Sequence, residues 1–570
     1  MHDNCYLKTI PFTASFSGNI YYLFLVFAFS AIVLQGCSEE PKHIGQKEVV
    51  AEPAAINPTA AEIIQSSLKD AMANNGRVAD IQLKYTAHIQ HLYQNNDYKP
   101  LWSSAGQWAE QSDSLFQLIN NSHQLGLFPE DYHSEKLTRL RQQILEDTFN
   151  KENNLDASLW AEADLLFTAA FVSMVKDLKV GRIIEDSVLE KDKTITGEFF
   201  EKQLALFQKE STNEFVSKLE PNHTGYAQLK ESLRDFLATA DLKRYTYVNP
   251  KDSANLLKAV YVRLSEEDTS IHALDMPDSL TVAQAIKTYR KNKGLRDDNK
   301  LTSGLISYLN NSDREKFIRI AITLDRYKQL PELPKKHIWV NIPGYQLQLK
   351  DNDTVIIASK VVVGKPNTRT PQLTSVITDM ITYPKWHIPN SIIAKEILPA
   401  LKKDVGYLAK KGYSLADYQG NEIDPTTVKW SQYEKEIPYR VIQGSGDDNA
   451  LGVIKFNFPN KFSVYLHDTN QRHLFSKDKR ALSHGCVRVE SWDTLATYLL
   501  LQDSVHEKAV PIDSMQTWLA LKEKHVIPLR NRVPLYIRYF TCEGVDGALV
   551  FHDDVYGEDR SIREKYFKEK

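Results

Sequence analysis

Cysteine is scarce in this sequence, and its scarcity limits the chemistry that the thiols can support. Only 4 of the 570 residues are cysteine, and no two of them form a C-x₂-C pair. A closed zinc site ordinarily contains two such cysteines or an equivalent ligand spacing. Cys486, which follows Ser483, His484 and Gly485, is therefore open to three interpretations: a nucleophile, a metal ligand beside nearby histidines, or a small buried hydrophobic residue.

A strong net charge is also absent. Lys and Arg number 70 and Asp and Glu 73, which gives a formal charge of -3, and no long basic run occurs. The usual electrostatic footprint of a nucleic-acid-binding protein is therefore missing. The chain also has no P-loop and no G-x-G-x-x-G fingerprint. We expect two to four domains from the length, no nucleic-acid partner, no metal and no organic cofactor.

The first apolar run is too short to cross a membrane comfortably. Residues 20–34 are uncharged and match the core of a signal peptide. They end in Leu34-Gln35-Gly36-Cys37, which resembles a bacterial lipobox, so we expect a signal peptide at 1–36 and lipid on Cys37. Ser38 resembles the pattern of lipoproteins exported to the outer membrane. The expected location is the periplasm, anchored to that membrane, and an uncleaved anchor is the alternative.

Composition divides the chain that follows. Residues 37–60 are rich in Glu, Lys, Pro and Ala and predict a flexible tether. Residues 61–248 show helical periodicity, clearest at 159–181, and predict a helical scaffold domain. No catalytic constellation stands out in this half.

A smaller helical unit is expected at 249–330. Its apolar positions, such as Val282 and Ile286, recur at helical spacing. The unit resembles the peptidoglycan-binding helical domain of many wall enzymes. It shares the Leu309-Asn310 ending, although Thr302 stands where a glycine is usual. A helical spacer that binds nothing is the alternative.

Alternating strands begin near residue 335, and two of them carry candidate chemistry. Tyr465 and His467 share one face of the segment 461–468, and Cys486 and Arg488 share one face of the segment 486–490. If these strands are neighbours, the imidazole can reach the thiol. An imidazolium there would lower the pKa of the thiol and yield a thiolate able to attack an acyl carbon.

The remaining cysteine invites a plainer interpretation. Cys542 lies in a run of β-branched and aromatic residues and is expected to be a small buried hydrophobic residue. A disulfide between Cys542 and Cys486 stays open at this point.

The spacing from His467 to Ser483-His484-Gly485-Cys486-Val487-Arg488 resembles the active-site signature of the L,D-transpeptidases, with their YkuD-type catalytic domain. Segments 361–371, 383–389 and 553–559 support the resemblance to the large multidomain Gram-negative branch. It implies a multidomain α+β protein whose catalytic domain, at 335–540, is a mostly β, mixed-sheet sandwich. It also implies a capping insertion at about 395–451, and a tail is expected at 541–570.

The resemblance implies an activity as well. Cys486 would attack a peptidoglycan stem tetrapeptide, release D-Ala, and pass the resulting thioester to a second stem as a 3→3 cross-link. His467 would be the general acid and base. The backbone N–H groups of Gly485 and Cys486, together with the Tyr465 hydroxyl, would stabilise the oxyanion. Sensitivity to carbapenems is also implied.

Four further residues have alternative roles. Arg488 would bind a substrate carboxylate or form a buried ion pair. Ser483 and His484 would orient the imidazole or only shape the turn. Trp386 would line the donor groove or pack in the core, and the insertion at 395–451 would be a lid or a fixed flap.

Two other functions remain open. A thiol hydrolase would use the same residues with water as the acceptor and would trim stems instead of joining them. A non-catalytic wall tether would need only the lipid anchor and the helical unit, and it would leave Cys486 and His467 without a role.

Overall fold

The computed structural model describes residues 42–149, 155–183, 194–272 and 274–567. The expected signal peptide and Cys37 lie outside these residues. As predicted, a helical half precedes a strand-rich half. The longer helices are Ile56–Ala73, Thr86–Gln94, Glu110–Asn120, Ser134–Phe149, Ala157–Val180, Gly197–Phe207, Thr212–Leu219, Thr224–Leu237, Leu256–Glu267, Ser279–Asn292, Ser303–Leu309, Asp313–Gln329, Trp492–Asp503, Ile512–Ala520 and Glu558–Tyr566.

One helix forms the centre of the helical half. Ala157–Val180 begins at Asp156, whose carboxylate accepts the backbone N–H of Ser158, and ends at Gly181, whose φ is +85°. Within the described residues it is the one helix long and apolar enough to cross a membrane, but 94% of its most apolar window is buried inside the protein. It is the core around which the other scaffold helices pack.

The predicted tether is wrong for much of its length. Val49 and Val50 pair with Leu155 and Asp156 in a two-stranded ribbon, and a helix already begins at Ile56. The polar composition predicted a flexible segment, but the few apolar residues in it pack against the core of the helical half. Their partners lie about a hundred residues away, so no local pattern indicates the pairing.

The small helical unit has a core of its own. Helices Leu256–Glu267, Ser279–Asn292 and Ser303–Leu309 share one apolar cluster. The Asn310 side chain closes the unit, because it both accepts from the N–H and donates to the carbonyl of Val248. The next helix, Asp313–Gln329, belongs to a different cluster, which joins the helical half to the strands, so the small unit ends near Asn310 and not at the expected boundary of 330.

The strand-rich half is built on one mixed sheet of eleven strands. These are β1 (Lys336–Asn341), β2 (Gln346–Asp351), β3 (Thr354–Gly364), β4 (Leu373–Val376), β5 (Asp379–Thr382), β6 (Ile454–Asn457), β7 (Leu466–His467), β8 (Ala481–Ser483), β9 (Val487–Val489), β10 (Val526–Pro528) and β11 (Pro534–Arg538). Their order is β4-β11-β1-β2-β3-β9-β7-β6-β5-β10, and β8 pairs with β3. Since β4 and β5 are adjacent in the chain, the sheet folds back on itself around one core.

The expected insertion forms a small subdomain. Strands Trp386–His387, Tyr413–Ala416 and Arg440–Gln443 pair with one another and enclose a separate apolar cluster. We call residues 386–443 the cap. Its first strand begins before the expected boundary of 395, because Trp386 pairs with Gln443.

The predicted tail is wrong, because residues 541–567 are packed. Strands Cys542–Val545 and Ala548–Phe551 form a hairpin, and the helix Glu558–Tyr566 follows. Arg326 on the helix Asp313–Gln329 donates to Asp559 at 2.6 Å. The apolar cluster that joins the two halves also includes Cys542 and Phe567.

Candidate active site

The two strands that carry the candidate residues are parallel neighbours. Leu466 pairs with Val487, and His467 pairs with Arg488, at the centre of the sheet. Cys486, which directly precedes β9, therefore lies beside Tyr465, which directly precedes β7. The alternation of residues along both strands predicts this placement, provided that the strands pair.

The turn 483–486 has a fixed shape. Gly485 has φ of +122°, a conformation that other residues adopt only with strain. Its carbonyl accepts from the Thr370 hydroxyl at 2.8 Å. The Ser483 hydroxyl donates to the Cys486 carbonyl at 2.6 Å and accepts from the Gly485 N–H at 3.1 Å. Ser483 thus shapes the turn and does not orient the imidazole.

This geometry changes the expected oxyanion donors. The Gly485 N–H already donates to Ser483, so it is not free for a substrate. The Cys486 N–H has no partner among the described residues, and the Tyr465 hydroxyl lies close enough to the thiol to shift its pKa. The two donors left for a developing negative charge are therefore the Cys486 N–H and the Tyr465 hydroxyl.

His467 is positioned as a neutral base. Its side chain is buried, and its Nδ1 has no hydrogen-bond partner among the described residues. The backbone of Asp468 and of Leu451 contacts the ring and partly opposes the lowering of its pKa. Burial, together with the charge of Arg488, lowers the pKa of His467 to about 3. The imidazole is therefore neutral at pH 7, and its Nδ1 is buried without a partner among the described residues.

The expected resting thiolate is wrong. Burial raises the pKa of Cys486 above its ordinary value, and the opposing effects of Tyr465, Lys455 and Arg488 do not overcome it. The resting pair is therefore a thiol beside a neutral imidazole. Burial disfavours both the thiolate and the imidazolium. The sequence pattern does not show how far the site is shielded from water.

Trp386 packs in the cap and also contacts a residue beside the thiol. It is half-buried against the apolar cluster of the cap, with its ring in a T-shaped contact with Tyr413 at 6.3 Å between centroids. Its indole also hydrogen-bonds the Tyr465 hydroxyl. Burial raises the pKa of Tyr465, and this hydrogen bond partly offsets that rise. The cap thereby contacts the residue that faces the thiol.

His484 points away from the imidazole. Its Nε2 lies 2.6 Å from a carboxylate oxygen of Glu396, which belongs to the cap. His484 therefore links the turn 483–486 to the cap and is not placed to orient His467.

Arg488 has no acidic partner in the part of the chain that the structure describes. Its Nη1 donates to the Gln471 side chain at 2.8 Å, and its Nε is buried without a partner. The alternative of a buried ion pair is therefore not realised. A guanidinium with an unused donor can accept an anionic ligand.

Lys455 is a site residue that the sequence analysis missed. It lies on β6 directly across from His467, and its Nζ is 4.1 Å from the centre of the Tyr465 ring. One Lys in an alternating strand is unremarkable by itself. Its position beside the thiol becomes visible only when the pairing of β6 with β7 is known.

The second described cysteine is remote from this chemistry. Cys486 and Cys542 are both free thiols, so the disulfide left open above is not formed. Cys542 is fully buried in the apolar cluster between the two halves, as expected for a small hydrophobic residue.

Comparison with known proteins agrees with the site. Residues 335–507 match the model of the L,D-transpeptidase catalytic domain named YkuD, and residues 87–233 match a scaffold domain. The chain contains an L,D-transpeptidase catalytic domain. A curated protein of Haemophilus influenzae strain Rd named "Putative L,D-transpeptidase" is 38% identical over 244 residues, which are 43% of this chain and 48% of that protein. The chain thus spans about half the length of this curated relative.

Two solved structures are also similar to parts of the chain. An L,D-transpeptidase from Mycobacterium smegmatis is 11% identical, covers 36% of this chain and 58% of its own, and has a TM-score of 0.17. The avibactam carbamoyl enzyme of Ldtfm is 13% identical, covers 37% of this chain and 51% of its own, and has a TM-score of 0.16. At these scores the likeness adds nothing to the description of the catalytic domain.

Proposed function

We propose that the protein is a peptidoglycan L,D-transpeptidase that forms 3→3 cross-links between stem peptides through a thioester on Cys486. The observation that carries this proposal is the buried, unpartnered Nδ1 of His467 on the strand next to the thiol. The donor substrate is a stem tetrapeptide, and the reaction releases D-Ala. The catalytic domain supports acyl transfer as the reaction class.

Acylation begins from neutral groups. Nδ1 of His467 takes the thiol proton as Sγ of Cys486 attacks the carbonyl carbon of the third stem residue, so that a C–S bond forms and a tetrahedral oxyanion develops. The Cys486 N–H and the Tyr465 hydroxyl donate to that oxyanion. Proton transfer inside the dry site therefore accompanies attack instead of preceding it.

Breakdown of the tetrahedral species releases the leaving group. His467 returns its proton to the nitrogen of D-Ala as the C–N bond breaks, and a thioester remains on Cys486. An amine of a neighbouring stem then attacks the thioester and gives a proton to Nδ1. The C–S bond breaks, the proton returns to Sγ, and the cross-link is complete.

Intact-protein mass after incubation with a purified stem tetrapeptide tests the proposal. We expect an adduct equal to the tetrapeptide without D-Ala, followed by a cross-linked dimer in the product mixture. A trimmed monomer without any dimer would identify a thiol hydrolase instead. Binding to sacculi without any turnover, unaffected by thiol blocking, would identify a wall tether.

The setting of the enzyme belongs to the same proposal. We place it in the periplasm, held at the outer membrane by lipid on Cys37, with the helical unit at 249–310 against the peptidoglycan. We also propose that carbapenems acylate Cys486, because they present an acyl carbon to the same thiol. Detergent partitioning of the wild-type protein, lost in Cys37→Ser, tests the anchor.

A further inference from the structure

Lys455 presents an ammonium group without a counter-ion beside the nucleophile. Its Nζ lies over the Tyr465 ring at 4.1 Å, and the side chain is half-buried. In the part of the chain that the structure describes it takes part in no ion pair. An ammonium partly removed from water is costly without an anionic partner, so the site favours a ligand that supplies one.

The carboxylate that acts on Lys455 does not pair with it. Asp379 acts on Lys455 electrostatically but forms no ion pair with it. It accepts instead from the Asn457 amide at 2.6 Å and from the Thr378 hydroxyl at 2.8 Å. Asp379 is thus engaged by its own neighbours on the sheet, and Lys455 stays available.

Other cations gather at the same place. His387, on the first strand of the cap, has its pKa lowered by burial and then by four cationic side chains, which are Arg440, Lys524, Lys455 and Lys385. Several cationic side chains therefore act at the boundary between the cap and the sheet. A group of cations attracts an anionic substrate.

We propose that Lys455 binds the carboxylate of the amino acid that leaves during acylation. This inference rests on the proposed function. In a tetrapeptide donor that carboxylate is attached to the same α-carbon as the scissile nitrogen, so it lies within a few bonds of the carbon that Cys486 attacks. A cation above Tyr465, whose hydroxyl faces the thiol, lies on the side where this group must sit.

The consequence is selection between donors. A tetrapeptide presents a free carboxylate at this position, whereas a pentapeptide or a C-terminal amide presents a neutral amide. Lys455 would therefore favour tetrapeptide donors by about 10- to 100-fold, the range that one charge-assisted hydrogen bond supplies.

The test compares a tetrapeptide with its C-terminal amide on four proteins: wild type, Lys455→Met, Lys455→Arg and Lys461→Met. Lys461 lies over Phe462, and its substitution removes another lysine on an aromatic ring, outside the site. The measured quantity is the rate of acyl-enzyme formation by intact-protein mass. Thermal unfolding and the iodoacetamide reactivity of Cys486 show that each variant is folded.

We expect the loss of rate in Lys455→Met to be at least about 10-fold greater with the acid than with the amide, because any effect of the lysine on the thiol slows both donors alike. Lys455→Arg should keep most of the preference for the acid, and Lys461→Met all of it. Equal losses on both donors would overturn the proposal, because the lysine would then act on the thiol or the oxyanion. A wild-type protein that alkylates normally but forms no acyl-enzyme with either donor would instead overturn the proposed function.

Discussion

The two free thiols of the catalytic half differ in exposure and in surroundings, because Cys542 is fully buried and Cys486 only partly. Burial raises the pKa of Cys486 and of Cys542. Cys542 is enclosed by apolar side chains. Cys486 is flanked by the Tyr465 hydroxyl, and His467, whose buried Nδ1 has no partner among the described residues, lies on the neighbouring strand. A lowered thiol pKa therefore does not identify the nucleophile in this protein. The feature that distinguishes Cys486 from Cys542 is a base on the neighbouring strand, His467, whose Nδ1 has no other partner in the described part of the chain.

The largest expected difference between the thiols is in acylation. Cys486→Ala should abolish acyl-enzyme formation, whereas Cys542→Ala should acylate at the wild-type rate. Because Cys486 is replaced by a residue of similar size, its loss should change the free energy of unfolding by no more than about 1 to 2 kcal/mol. Intact-protein mass and denaturant unfolding measure the two effects. Release of D-Ala at the normal rate by Cys486→Ala would refute the assignment.

The second effect concerns the base. His467→Asn should slow acylation by about 10²- to 10⁴-fold, because no other group accepts the thiol proton. His484→Asn is the matched control, since it removes an imidazole from the same turn but only breaks the contact with Glu396. Single-turnover rates with the tetrapeptide give the comparison. A greater loss in His484→Asn than in His467→Asn would reverse the two roles.

The third effect is the pH dependence of alkylation. Because the pKa of Cys486 is raised, iodoacetamide labelling should be slow at pH 6 and should increase steadily through pH 9. The rate is measured on a Cys542→Ser background in which Cys37 is absent, so that one thiol is read. Fast labelling at pH 6 with a plateau at neutral pH would restore the thiolate–imidazolium pair that the sequence suggested.

The smallest effect is on stability. The pKa of His467 is about 3 when folded, below the usual value near 6.5 of an unfolded chain. The unfolded state therefore binds this proton first. The contribution is fully present above pH 6.5 and is lost as pH falls toward 3, which amounts to about 2 kcal/mol by pH 5. Between pH 7 and pH 5, the free energy of unfolding of the wild type, measured in urea, should fall by about 2 kcal/mol more than that of His467→Asn. Parallel curves for the two proteins would contradict the buried neutral imidazole.

The sequence predicted much of the framework because the signals are local. Helical periodicity located the helix Ala157–Val180. Alternation placed His467 and Cys486 on faces that meet when the strands pair. The periodicity of a strand or helix depends only on residues close in sequence, so it can be recognised without knowledge of the fold.

What the sequence could not predict depends on distant parts of the chain. Burial set the charge states of Cys486 and His467, and that burial comes from several elements. Lys455 faces the site through the pairing of β6 with β7. Val49 reaches a strand partner at Asp156, and the N–H of Gly485 is engaged by Ser483. Each of these outcomes needs tertiary contacts that no local pattern encodes.

The contact between the helix Asp313–Gln329 and residues 541–567 has a consequence for how the protein is made. Arg326 and Asp559 are 233 residues apart in the chain. At roughly 5 to 20 residues per second of synthesis, the helix emerges roughly 10 to 50 s before its partner exists. During that interval the apolar side chains that it buries in the finished protein, such as Phe317 and Leu324, lack part of their cover. We expect this helix to be the segment of the nascent chain that most needs a chaperone.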